Sequence, residues 1–109
     1  MEEQELKLFH IISNIGTARS DYIEAIREAK VGNYDEAQRL IKEGTEAFSK
    51  GHDVHSELIQ AEAGGNPVTA NLLLIHAEDL LMSAETFKIF ALEMIDNYKR
   101  IEALENKLK

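Results

Sequence analysis

Along the first third of the chain the apolar positions are Leu8, Ile12, Ile15, Tyr22, Ile26 and Ala29. Steps of three, four or seven residues return a side chain to the same face of a helix, whereas a strand repeats every second residue. The spacing predicts a helix over about residues 4–30. Val31-Gly32-Asn33 closes it, because Gly32 accepts the left-handed conformation at a helix end and Asn33 has a side-chain oxygen suited to capping the next helix. A second stripe of Ala37, Ile41, Gly44, Phe48, His55, Leu58 and Glu62 predicts a helix over about 34–62, antiparallel to the first across so short a turn. Gly64-Gly65-Asn66-Pro67 breaks that pattern. The third stripe, Leu73, Ala77, Leu80, Ala84, Phe87, Ala91, Met94, Tyr98 and Ile101, predicts the longest helix, over about 69–104.

The third segment has apolar residues off its stripe as well: Leu72, Ile75, Met82, Ile89 and Phe90. A helix apolar nearly all round is buried on more than one side, and two companions in a three-helix monomer cover only one. The pattern therefore predicts either self-association through the third helix or a helix sandwiched inside a monomer. Two helices supply little chain for the second arrangement, so an oligomer is expected.

Composition narrows the class. With 109 residues, 44% of them hydrophobic, the chain has material for one domain with a real core, and six Gly with one Pro favour long helices over a turn-rich β fold. The expected class is all-α, an antiparallel three-helix bundle over residues 1–109. A formal charge of −8 opposes binding to nucleic acid or an anionic membrane surface. No Cys is present, which removes disulfides, thiolate nucleophiles and Cys-ligated zinc together. Met1-Glu2-Glu3-Gln4-Glu5 lacks the basic start and apolar run of a secretory signal, and the apolar run at Leu72 is cut by His76, Glu78 and Asp79. A soluble, cytoplasmic protein is expected.

His76 and Asp79, three residues apart, share a helix face that also carries Leu72 and Ser83, and that face should be at least half-buried. A buried carboxylate needs a proton, a metal or a cation. One reading is a structural His–Asp hydrogen bond fixing helix register, within a bundle that binds partner helices. The other is chemical: a hydrogen bond to one ring nitrogen leaves the second free as a nucleophile, and one histidine suffices to relay a phosphoryl group. If an oligomer axis passes this face, copies of Asp79 converge there, and a hard cation such as Mg²⁺ would relieve their repulsion. His52 and His55 have the spacing of helical metal ligands, but no motif marks a third ligand, and a polar edge of the second helix near His76 is the better reading. His10 reads as surface. No Gly-rich phosphate loop and no His-Glu-x-x-His signature occurs, which argues against a nucleotide-using enzyme or a zinc peptidase. The Lys- and Glu-rich segment from Asn97 to Lys109 reads as a solvated helix end.

These residues resemble the lactose/cellobiose-type IIA family of the phosphoenolpyruvate-dependent sugar phosphotransferase system. Ile12-x-x-x-Gly16-x-Ala18-Arg19-Ser20 is similar to that family's first helix, and Ala29-Lys30-x-Gly32-x-Tyr34-x-x-Ala37 to its first turn. His55-x-x-Leu58-Ile59-x-x-Glu62-Ala63-Gly64 resembles the end of its second helix, and Leu72-Leu-Leu-Ile-His76-Ala-x-Asp79-x-Leu81-Met82 its active-site signature. The resemblance implies a three-helix subunit assembled as a nine-helix homotrimer. It implies that His76 accepts a phosphoryl group from the histidine phosphocarrier protein and yields it to a cysteine of a IIB component, serving uptake of lactose, cellobiose or a related sugar. It further implies that Asp79 from three subunits binds one Mg²⁺ on the three-fold axis. Two positions depart from the family pattern: Glu78 stands where Gln is common, and Leu80 where His is common. The phosphorylation motif of the helical phosphotransfer domains of two-component signalling, the other helical relay considered, is absent.

Overall fold

A computed structural model describes residues 2–109. It consists of α1 (Glu3–Lys30), α2 (Tyr34–Ala63) and α3 (Leu72–Lys107), with no strand among the described residues. The all-α, three-helix class predicted from the apolar spacing is the observed one.

Both helix ends use the same device. Gly32 and Gly65 take φ of 85° and 93°, a region costly for any side chain with a Cβ. At the first turn the Gly32 N–H donates to Ala29 and the Asn33 N–H to Glu28; at the second, Gly65 donates to Glu62 and Asn66 to Ala61. This paired pattern satisfies carbonyls that a helix end otherwise leaves open. Asn33 does precede α2, but its side chain makes no cap bond and instead donates from Nδ2 to the Glu28 carboxylate at 2.8 Å.

The start of α3 lies at Leu72, not near Thr69 as the spacing alone predicts. Two side chains hold the intervening residues out of the helix. Asn71 has extended backbone angles and accepts from the Leu74 N–H through Oδ1 at 2.9 Å, a true N-cap. Gln4 at the beginning of α1 clasps Thr69 with its amide, donating to the carbonyl at 2.9 Å and accepting from the N–H at 3.0 Å. The two Thr69 backbone groups are thus bonded across 65 residues of sequence and unavailable to a further helical turn.

The helix at the centre of the subunit is α1. It packs along α2 and along α3, while those two scarcely touch each other. Leu8, Ile11, Ile15, Ala18, Tyr22, Ala25 and Ala29 are buried along its whole length. One core cluster, around Leu8, Ile11, Ile15, Leu58, Ala77, Leu81 and Ala84, underlies the end of the rod that carries His76. Another, around Tyr22, Ala29, Ala37, Ile41, Ala91 and Ile95, fills the opposite end. Small residues let α1 and α2 approach closely. A Cβ on Gly44 would lie 2.8 Å from the Tyr22 ring and 3.2 Å from the Ala18 carbonyl oxygen.

The sandwiched-helix alternative for α3 does not hold within the subunit. Leu72, Ile75, Met82, Ile89 and Phe90, the five residues off its main stripe, are all exposed, from 55% to 80%. Together with Asp79 and Thr86 they form an uncovered face running down α3.

On the α1–α2 seam, Asp21 Oδ2 is buried without a hydrogen-bond partner among the described residues. Burial, then the close approach and repulsion of the Glu43 carboxylate, push the Asp21 carboxyl up to about 6, against a smaller pull downward from Arg39. Folding raises this group's proton affinity, so the folded state loses stability as pH climbs from 3.8 to about 6 and carries the full cost above that. Asp21→Asn is expected to raise unfolding free energy by about 1–2 kcal/mol at neutral pH, after discounting for partial solvation, and to change it little at pH near 4. Urea titrations at the two pH values check this. Gly44→Ala is expected to destabilise by about 1–3 kcal/mol despite better helix propensity, since the Ala18 backbone cannot yield; thermal unfolding reads it.

Candidate functional site

The Asn71 cap sets the direction of α3's first turn, and His76 follows one turn later. The imidazole is exposed, as is the Asp79 carboxylate, and no hydrogen bond joins the two among the described residues. The expectation of a half-buried His–Asp pair therefore fails within one subunit. The reason is the packing of α3: Ala77, Leu81 and Ala84 turn toward α1, which leaves Leu72, Ile75, Asp79 and Met82 on the outer face with His76 on its flank. The His76 ring stands free to be approached.

Asp79 is set among exposed apolar side chains rather than beside a cation. Among the described residues no cluster of three or more His, Asp or Glu could hold a metal ion within the chain. A single carboxylate on the bare α3 face suits a cation only when copies of the chain bring further carboxylates to it.

The histidines of α2 separate. His52 stacks on Phe48, ring centroids 6.0 Å apart, on the outer surface. His55 turns inward and its Nε2–H donates to Glu78 Oε1 at 2.6 Å, bridging α2 to α3. They do not form the ligand pair that their spacing allows. His10 is a surface residue whose ring nitrogen lies 3.2 Å from Asn14 Nδ2.

Two features beside the site were not apparent from the apolar pattern. Arg19 of α1 donates from Nε to Ser83 Oγ at 3.1 Å and lies over the Phe87 ring at 5.0 Å, placing a cation against α3 two turns beyond His76 and on the same flank. The other is the His55–Glu78 bond itself, which joins a stripe residue of α2 to a residue two positions after His76. The remaining family departure, Leu80, packs against the core cluster at this end of the subunit.

The description "PTS system, Lactose/Cellobiose specific IIA subunit" belongs to a family model that matches residues 6–99. The chain is 44% identical over 100 residues to the lichenan-specific phosphotransferase enzyme IIA component of Bacillus subtilis, covering 92% of this chain and 91% of that one. It is 39% identical to the cellobiose-specific EIIA component of Lactococcus lactis, over 89% of this chain and 84% of the other. Among solved structures, the cellobiose-specific enzyme IIA from Bacillus anthracis superposes with a TM-score of 0.92 at 44% identity, covering 94% of each chain. The IIA(Chitobiose) protein, solved in complex with HPr from the Escherichia coli phosphotransferase system, gives 0.79 at 28% identity, over 94% of this chain and 99% of that one. With the signature around His76 placed on a free face of α3 and the fold shared over nearly its whole length, this chain belongs to the lactose/cellobiose-specific IIA family, the sugar-specific phosphotransferase components of that system.

Proposed function

We propose that His76 is the phosphoryl-accepting residue, taking the group from the histidine phosphocarrier protein and passing it to a IIB cysteine in uptake of lactose, cellobiose or a related sugar. The observation that carries this is the position of His76: in the family signature, exposed, and without a side-chain partner among the described residues that would occupy its ring. The complex of the chitobiose IIA protein with HPr supports the carrier as donor.

In the first step a ring nitrogen of neutral His76 attacks phosphorus, the N–P bond of the carrier's phosphohistidine breaks, and the carrier keeps the electron pair. The ring N–H proton of His76 goes to the departing carrier imidazole, which would otherwise leave as an anion. In the second, a IIB thiolate attacks the same phosphorus, the His76 N–P bond breaks with its electron pair going to the ring, and a proton from solvent restores the neutral imidazole. Both steps pass through a loose in-line transition state, in which positioning and charge matter more than general acids. Arg19 contributes positive potential from the same flank of α3, and Asn71 holds the turn that carries His76.

The same reading includes a homotrimer built on α3. Leu72, Ile75, Asp79, Met82, Thr86, Ile89 and Glu93 step by three and four residues in turn, the heptad spacing of a coiled-coil seam, and a three-fold axis running along it makes the three copies of α3 parallel. Most are apolar and exposed in the subunit. Three copies about this stripe bring three Asp79 carboxylates together, and they would hold a Mg²⁺ ion, whose charge offsets their repulsion.

Incubation with phosphoenolpyruvate, the first enzyme of the system and the carrier is expected to add one phosphoryl group to the intact mass of wild type and none to folded His76→Ala. Unmodified wild type would sink the relay. Sedimentation equilibrium at micromolar concentration is expected to give a trimer, with Asp79→Leu forming a trimer at least as tight, because apolar replacement of repelling carboxylates is often stabilising. A monomeric wild type would overturn the assembly.

A further inference from the structure

An acidic residue two positions after a phosphoryl acceptor raises an electrostatic question. A phosphoryl group brings about −2 of charge, and a carboxylate nearby opposes its arrival. Glu78 follows His76 by about 200° of helical turn, so the two side chains lie on opposite flanks of the stripe containing Ile75, Asp79 and Met82. In a ring of parallel copies, one flank of each helix meets the opposite flank of the next. The Glu78 of one copy then adjoins the His76 of its neighbour.

No Lys or Arg pairs with Glu78 among the described residues: Lys7 goes to Glu3 and Glu57, Arg27 to Glu24, Arg39 to Glu36 and Glu43. Glu62, which lines the same small cleft between α2 and α3, adds like charge. What holds Glu78 is His55. The bond is short, at 2.6 Å, and the His55 side chain is only 16% exposed, so its orientation is set by packing on α2 as well as by the carboxylate. It is also one of two side-chain hydrogen bonds among the described residues that join α2 to α3, helices that otherwise barely meet; the other, Tyr34 to Glu102, lies at the far end of the rod.

We propose that His55 is a positioning residue for phosphoryl transfer: through its Nε2–H it ties the Glu78 carboxylate back against α2, keeping it off the phosphoryl group at His76. This rests on the relay and the parallel assembly proposed above. Glu78 itself supplies nothing to the transfer; it is a charge to be contained. Gln at that position, common in the family, has no charge to contain.

The test is a double-mutant cycle on wild-type, His55→Ala, Glu78→Gln and the double variant. Phosphoryl uptake from phosphorylated carrier is followed by quenching and intact mass. His55→Ala is expected to slow uptake about tenfold, the size of one released charge acting at short range near the protein surface. Glu78→Gln is expected to stay within about threefold of wild type, and the double variant to match Glu78→Gln, because with the carboxylate gone His55 has nothing to hold. A structural role for His55 would slow uptake equally in both backgrounds. That result, an unimpaired His55→Ala, or a slow Glu78→Gln would each overturn the proposal. If His55→Ala does not fold, His55→Leu, which fills the space and has no donor, takes its place with the same expected pattern. Wild type that takes up no phosphoryl group marks failure of the relay; wild type labelled normally with a flat cycle marks failure of the positioning role alone.

Discussion

Burial of α1 between two helices that hardly touch each other is the constraint on which the rest of the subunit depends. Small side chains, Ala18, Ala25 and Ala29 of α1 with Ala37 and Gly44 of α2, allow the close approach, and Leu8, Ile11 and Ile15 fill the end beneath the site. Because α3 spends Ala77, Leu81, Ala84, Ala91 and Ile95 on α1, the apolar residues on its opposite face, Leu72, Ile75, Met82, Ile89 and Phe90, have no partner within the chain. The exposed stripe, the carboxylate of Asp79 within it and the free imidazole of His76 at its flank all follow from that one allocation of faces. A subunit able to cover α3 would leave the imidazole inaccessible.

Much of this was legible in the residue order. Helical spacing located all three helices, and the turn glycines marked both breaks, since Gly32 and Gly65 are where positive φ is needed. The surplus apolar residues of α3 announced an uncovered face, and each of the five proved exposed. Less legible was anything depending on a side chain reaching across the fold. The late start of α3 follows from Gln4 holding Thr69, a contact that spacing within the third segment cannot contain. Asn33 looked like a side-chain cap for α2 and instead reaches back to the Glu28 carboxylate of α1.

At the site, the helix-face reading put His76 and Asp79 side by side and misjudged their surroundings within one chain. His76 and Asp79 share a face, as their spacing requires, but within one chain it faces outward, so the burial that seemed to demand a mutual hydrogen bond is missing. His55, whose spacing from His52 suggested a metal, is drawn to Glu78. That pairing was invisible to reasoning along a single helix because its partners lie 23 residues apart on different ones.

The weak seam between α2 and α3 has a kinetic corollary. Contacts of α2 with α1 are local, closing a hairpin across a three-residue turn, whereas α3 must return over the whole length of that hairpin. The hairpin contacts are thus the ones that chain-closure entropy penalises least, and those of α3 the ones it penalises most. Until α3 docks, the apolar seam of α1 that will receive it stays wet, and the nascent subunit shows two greasy surfaces where the finished one shows one. Assembly through α3, as proposed, would wait on that docking, because the face through which copies would recognise each other is set only once α3 has committed its other side to α1.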